Sequence, residues 1–444
     1  MNKNTLLAYA TMAVPRYTSY PTAADFVTLD DQKRIDWLSQ IRENQPVSLY
    51  IHIPYCRQLC HYCGCHAKMA VRNDVIDDYA DSVVEDIKLQ SRYLSGKPQV
   101  VHLHWGGGTP SILSRQSFEK IMSALRDGFS FALDCEHAIE LDPRTVTPNL
   151  VTILRDIGVN RASLGVQDVN PEVQKAIGRV QPIKTVERAV TMLRNAGINN
   201  LNFDLIYGLP LQTHETLRKT CEIVNNFAPN RVACYGYAHL PKRRANQKLI
   251  DPALLPDEME RFYQAEVVKA TFVQMGYVPI GIDHYALEGD TLAQAARTGN
   301  LHRNFQGYTD DLCPVIIGFG CSSISQFENG FAQIQPAITG YRHAIAEGKL
   351  ATIRGIEIDD EDRLRGALIS DLMCNFKVDL AQFGGSGRFS DELRGLKPII
   401  ADGLVTEHQG LIEMTEEGKP FVRTVAALFD AYRKQNDAQF SAAV

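Results

Sequence analysis

Short β-branched runs alternate with stretches whose apolar residues recur at i, i+3, i+4 and i+7 through the first half of the chain. The runs Ser48–Ile53, Val100–His104, His137–Leu141, Arg161–Gly165, Leu201–Tyr207 and Arg231–Tyr237 read as strands. Ile76, Tyr79, Ala80, Val83, Val84 and Ile87 fall on one helical face, with Asp74 placed as its N-cap. Val186, Ala189, Val190 and Leu193 repeat the pattern, and Gly197 stands where a left-handed C′ residue belongs. Strand–helix repetition predicts an α/β fold with a parallel sheet and right-handed crossovers. Six such units suit a partial (βα)6 TIM-like barrel or an open doubly wound sheet, and periodicity does not choose. Either places a site at the carboxyl ends of the strands.

Two regions break the alternation. From Ile53 to Asp74 the chain runs for about 20 residues without a pattern, and loops that long are usually functional or disordered. Beyond residue 360, Asp362–Cys374 is helical in pattern, with Leu364, Ala367, Leu368 and Leu372 on one face. Leu404–Thr406 and Leu411–Met414 flank Glu407–Gly410 as a hairpin. Helices followed by a hairpin suggest a C-terminal winged-helix-like α+β domain. The expected division is an N-terminal segment 1–45, a body 46–350 and a tail domain 351–444.

Composition narrows the function classes. The 444 residues suffice for two to four domains of about 100–200 residues. With 46 Lys and Arg against 52 Asp and Glu, the chain has no overall basic field for nucleic acid or anionic membrane. The tail, with ten basic and thirteen acidic residues from 361 to 444, makes DNA binding by that domain improbable. No apolar run reaches the roughly 20 residues of a membrane helix. Leu6–Val14 has the faint outline of a signal h-region, but the cysteines argue for a reducing, cytoplasmic setting.

Ten cysteines are present, and four crowd into ten positions: Cys56, Cys60, Cys63 and Cys65. The others (Cys135, Cys221, Cys234, Cys313, Cys321 and Cys374) are scattered, mostly in apolar surroundings. Cys56-x3-Cys60-x2-Cys63 offers three thiolates to a four-iron, four-sulfur cluster and leaves one iron for a small chelator. A structural zinc site using His61 or His66 is the competing reading, and Cys65 could join either metal. The second predicted strand ends in Trp105-Gly106-Gly107-Gly108-Thr109-Pro110, a turn that lets backbone approach a ligand closely. Glu140, Gln167, Asp168 and Asp204 stand at or near the ends of later strands, and Arg179 is a candidate cation for a carboxylate. Four polar positions at successive strand ends suit a ligand better than chance does.

With these residues in view, the chain resembles the radical S-adenosylmethionine superfamily. More narrowly it resembles the family of oxygen-independent coproporphyrinogen III dehydrogenases. The resemblance rests on Pro15–Thr22, Tyr50–Cys65, Trp105–Pro110, Gly165–Asp168, Asp204–Pro210, Tyr237–Pro241 and His302–Tyr308, and it spans nearly the whole chain. It implies a partial (βα)6 barrel, an N-terminal segment lying across the site and a lid-like C-terminal domain. It implies Cys56, Cys60 and Cys63 as ligands of one [4Fe-4S] cluster, with Cys65 not a ligand. It implies two S-adenosylmethionine molecules held by Tyr50, Tyr62, Gly107, Gly108, Thr109, Glu140, Gln167, Arg179, Asp204, Ala238 and Ile324. Position 62 is Tyr where relatives can carry Phe.

The activity implied is oxidative decarboxylation of two propionates of coproporphyrinogen III to vinyl groups in haem biosynthesis, by a 5′-deoxyadenosyl radical. Arg16, Tyr17, Tyr20, His302, Arg303 and Tyr308 are candidates for the substrate carboxylates. The implied partners are the porphyrinogen and a reducing donor such as flavodoxin or ferredoxin, with no nucleic acid, no membrane and a monomeric chain. Haem chaperones on the same scaffold, or other haem-acting radical proteins, are the alternative. Those chaperones usually carry an aromatic in place of Cys65 and lack the Arg16–Thr22 stretch, so both features favour the enzyme.

Overall fold

The computed structural model describes residues 3–434; the outermost residues assigned to the first and last domains, 1–2 and 435–444, lie outside the described residues. Six parallel strands follow in sheet order: β1 Pro46–Ile53, β2 Gln99–Gly107, β3 Ser130–Leu141, β4 Arg161–Gln167, β5 Asn200–Tyr207 and β6 Arg231–Gly236. Each contains, or matches to within one residue at its end, the run expected from the sequence. They alternate with helices α1 Asn73–Ser91, α2 Arg115–Gly128, α3 Pro148–Ile157, α4 Ile183–Asn195 and α5 His214–Asn225.

Alternation along the strands settles the architecture. Leu49, Ile51 and Ile53 of β1 join Leu103 and Trp105 of β2 in the main core, packed with Ile76, Tyr79, Val83 and Ile87 of α1. Residues on the other face, such as Ser48, His104, Glu140, Ser163 and Asp204, are polar. A doubly wound sheet would bury both faces under helices. Here one face packs on helices and the other borders a cavity, which is the arrangement of a partial barrel.

The sheet does not close. Strand β9 (Ile316–Phe319) lies parallel to β1, a seventh parallel strand that periodicity did not reveal. Beyond it lie antiparallel β10 (Ile324–Phe327), β11 (Gly330–Ile334), β12 (Thr352–Glu357) and the two-residue strand Val27–Thr28. On the other side β8 (His284–Leu287) and β7 (Tyr277–Ile280) continue from β6, giving thirteen strands. Helix α6 (Glu258–Gln274) packs beside α5.

Local expectations were met unevenly. At the end of α4, Gly197 has φ +88; its N–H bonds Arg194 O, and Ile198 N–H bonds Leu193 O. That is a Schellman cap, as the glycine suggested. Asp74 is not an N-cap: α1 starts at Asn73, and Asp74 pairs with Arg72 in the exposed first turn. In α7 (Asp360–Asn375) the buried face is Leu368, Ile369, Leu372 and Met373, while Ala367 is exposed. The expected face was rotated toward solvent because Ile369 and Met373, not Ala367, meet the tail's own core. The hairpin forms between Val405–His408 and Leu411–Met414, with Gln409 and Gly410 both at positive φ, and Lys377–Asp379 adds a third strand. Among the described residues no helix is long and apolar enough to cross a membrane.

Candidate active site

The cysteine loop is built by backbone before any ligand is considered. Lys68 N–H bonds Pro54 O (2.7 Å) and Ala70 N–H bonds Cys56 O (2.9 Å), so the loop returns on itself. His61 N–H bonds Ile177 O (2.9 Å), fixing its far side. Gly108 N–H and Thr109 N–H bond Ile53 O and Tyr55 O at 2.8 Å, which locks the glycine turn against the loop. A Cβ on Gly108 would lie 2.7 Å from Tyr55 O, a backbone atom that cannot step aside. The three glycines are therefore a packing requirement as well as an opening for a ligand.

A second clamp had no signal in spacing or composition. Asn246 Nδ2 faces the carbonyls of Cys60, His61 and Cys63 at 3.0, 3.1 and 2.9 Å. Gln247 Nε2 donates to Tyr62 O (2.8 Å). Both sit on the short helical turn Ala245–Leu249 after β6, so the loop between β1 and α1 is held from across the barrel mouth.

The sulfur atoms face donors. Thr109 Oγ1 donates to Cys56 Sγ (3.1 Å), Arg179 Nη1 to Cys60 Sγ (3.4 Å), and Cys65 N–H to Cys63 Sγ (3.4 Å). Burial pushes the Cys56 thiol up to about 11, while hydrogen bonds from Cys65 and the nearby Arg179 and Arg244 charges lower Cys63. Thiolates need such donors when they ligate a cationic centre. Among the described residues, the set of three metal-binding side chains with ligand atoms within 4.8 Å of one another is His102, Asp311 and Cys313, away from this loop. The wider spread of the three cysteines suits a polynuclear cluster better than one tetrahedral zinc ion, whose Zn–S bonds are about 2.3 Å.

The three thiols open into a cavity of about 1030 Å³ at the carboxyl ends of the strands. Of the residues expected there, Tyr62, Gly107, Gly108, Thr109, Glu140, Gln167, Arg179, Asp204, Ala238, Arg16 and Tyr308 line it, as does Cys65. Glu140 accepts Gly107 N–H at 3.2 Å and lies 3.2 Å from His104 Nε2. Gln167 sits at φ +67 where the β4–β5 register shifts, a left-handed residue that turns the strand end. Arg179 is not a free cation. Its guanidinium donates to Gly165 O (2.6 Å) and faces Asp142 (3.3 Å) as well as Cys60. Asp204 accepts Ser163 Oγ (2.7 Å) and Asn202 Nδ2 (2.9 Å), and burial pushes its carboxyl up to about 6. The floor carries Arg161 paired with Glu136 and Arg231 paired with Asp290, at 2.8 and 2.7 Å.

Other expected residues are not brought to this cavity. Tyr50, half-buried, is not among the side chains lining it; it stacks on His104 and is bonded to His52 Nδ1 (3.0 Å). Ile324 packs with Phe26, Phe331 and Ile356. Asp168 is a structural pin, fully buried and accepting from Gln212 and Thr220. The hydroxyl of Tyr17 donates to Asp430 (2.9 Å) and that of Tyr20 accepts Ala431 N–H (3.1 Å), so both serve the tail domain. His302 is exposed. Arg303 stacks on Tyr308 (4.1 Å) and lines a neighbouring cavity of about 790 Å³, which shares Arg16, Ala238 and His284 with the first. Arg144, Arg243 and Arg244 were missed; the cationic run Lys242–Arg244 was the available signal for the last two.

Residues 50–224 match the family model for the radical SAM superfamily, and residues 358–421 match that for the HemN C-terminal domain. The chain is 40% identical to an oxygen-independent coproporphyrinogen III oxidase of Bradyrhizobium diazoefficiens, over 97% of both chains. It is 37% identical to the protein of that name from Escherichia coli strain K12, over 95% of this chain and 93% of that one. A solved structure described as "Coproporphyrinogen III oxidase (HemN) from Escherichia coli is a Radical SAM enzyme" superposes with a TM-score of 0.89 at 36% identity, covering 95% of this chain and 100% of that one.

Proposed function

The chain belongs to the oxygen-independent coproporphyrinogen III oxidase family of the radical SAM superfamily, and from that premise we propose how its residues serve the reaction. The enzyme decarboxylates two propionate side chains of coproporphyrinogen III to vinyl groups, a step of haem biosynthesis that uses no oxygen. The observation that carries this reading is the convergence of three donor-bonded thiols, the glycine turn and the strand-end polar residues on one cavity.

When bound, a [4Fe-4S] cluster and S-adenosylmethionine supply one-electron chemistry able to take hydrogen from an unactivated carbon. Cys56, Cys60 and Cys63 hold the cluster, and Cys65 supports Cys63 through its N–H. The residues lining the cavity divide between two S-adenosylmethionine sites. Glu140 and Asp204 offer carboxylates to ribose hydroxyls or to a sulfonium, Gln167 offers an amide, and Tyr62 and Ala238 offer stacking and backbone contact. Arg179 keeps the loop, the β4 end and Asp142 in one arrangement. Residues 3–45 and the described part of the tail domain exclude water from the mouth. The protein works as a cytoplasmic monomer with a flavodoxin- or ferredoxin-like donor.

Anaerobically reconstituted protein, incubated with dithionite, S-adenosylmethionine and coproporphyrinogen III, should release carbon dioxide and form protoporphyrinogen IX. Replacing any one of Cys56, Cys60 or Cys63 by Ala should lower iron well below about four per chain and abolish 5′-deoxyadenosine formation. Haem that stays bound with no turnover would replace this reading with that of a chaperone.

A further inference from the structure

The neighbouring cavity of about 790 Å³ lies between the carboxyl ends of β5 and β6, helix α6 and the tail domain. Its chemistry differs from that of the first. In the first cavity Arg161, Arg231 and Arg179 are tied to carboxylates, and Arg16, Arg243 and Arg244 are its other cations. The second is lined by eight Lys and Arg side chains against three carboxylates, Glu266, Asp283 and Glu416. Two of those three are engaged: Asp283 with His284 (2.7 Å) and Glu416 with Lys419.

The cations are also deliberately placed. Arg261 comes from the first turn of α6 and lies over the ends of β5 and β6. A Cβ on Gly208 or Gly236 would stand 3.1 or 3.2 Å from its guanidinium, so the glycines at these strand ends leave it room. Its Nε is buried and has no hydrogen-bond partner. Arg303 uses Nε and Nη2 on the carbonyls of Tyr17 and Arg16 (3.2 Å each), while its buried Nη1 has none. Arg423, from the tail domain, is buried beside Arg16 and Arg303, and its guanidinium is held below its ordinary value by burial and by those like charges. The buried, unpartnered donors of Arg261 and Arg303 mark a place where a ligand completes the set.

We propose that this second cavity is a carboxylate pocket in which Arg261, Arg303 and Arg423, with Lys269 and Lys419 nearer the rim, bind propionate side chains of the tetrapyrrole. The inference rests on the family reading and deepens it. A substrate with four carboxylates needs partners for those that do not react, and planar guanidinium forks match carboxylates two bonds at a time. The shared wall of Arg16, Ala238 and His284 lets one molecule extend from the first cavity into the second.

The test is a titration of the reconstituted, anaerobic protein with coproporphyrin III, a redox-stable tetracarboxylate, and with its tetramethyl ester, followed by porphyrin absorbance and fluorescence. The acid should bind at least tenfold more tightly than the ester, with a clear salt dependence. Arg261→Gln and the double variant Lys269→Gln/Lys419→Gln should each weaken the acid at least tenfold and leave the ester unchanged. Arg261→Lys should recover part of the loss. In turnover, KM for coproporphyrinogen III should rise more than kcat falls. Wild-type affinity in both variants, in a protein that still converts coproporphyrinogen III, would overturn the pocket and leave the family reading standing. No conversion by the wild-type protein would overturn the reading and the pocket together.

Discussion

At the scale of single residues, buried polar groups set the pH behaviour. Trp105 Nε1 donates to His137 Nε2 at 2.7 Å, so that nitrogen must keep its lone pair. Burial, with the Arg126 charge second, lowers His137 from 6.5 to about 3. The folded state thus binds this proton more weakly than the unfolded chain does. The resulting stability is complete above pH 6.5 and is lost as pH falls from there toward 3. At pH 5 the loss from this one ring is about 2 kcal/mol. His137→Gln should flatten the acid limb between pH 7 and pH 5 by about that amount in urea unfolding. Asp204, pushed up to about 6, changes charge in the working range. Asp204→Asn should remove a pH dependence near 6 from S-adenosylmethionine affinity, measured by equilibrium binding.

At the scale of elements, the cysteine loop owes its shape to partners on three other segments. Asn246→Ala leaves the carbonyls of Cys60, His61 and Cys63 without their shared donor. The cluster should then be lost several times faster to a chelator, with the far-UV spectrum unchanged. Gly108→Ala should abolish cluster retention altogether, because the clash is with backbone. This element also marks how far the sequence could be read. The strands were legible because period-two alternation and β-branching survive in each, and the thiols because Cys clustering is rare. Asn246 and Gln247 were illegible: an amide in a loop carries no periodic signal, and its partners lie about 185 residues away. The seventh parallel strand, Ile316–Phe319, was missed because four residues with two glycines nearby do not establish a period. Arg261 was hidden because a helical Arg reads as a solvated surface residue until the glycines beneath it are seen in space.

At the scale of the whole molecule, the N-terminal strap and the tail domain hold one another. Tyr17 donates to Asp430, Tyr9 to Asp402, and Arg433 to Ala13 O, each across roughly 400 residues of sequence. Ala10, Tyr17 and Tyr20 share one hydrophobic cluster with Leu368, Phe421 and Phe429. Tyr17→Phe should cost about 1–3 kcal/mol, since Asp430 is buried and loses its donor. Limited proteolysis should then cut near residue 12 sooner than in the parent chain. The ends of the thirteen-strand sheet bear on how copies of this chain meet. On one rim the outermost strand, β7, presents Pro279, which has no N–H to offer a newcomer. On the opposite rim the last strand is only two residues long, too brief to template another. The ribbon is blunted at both selvages, so neither end of this sheet gives crowded copies a ready seam along which to stitch into a fibre.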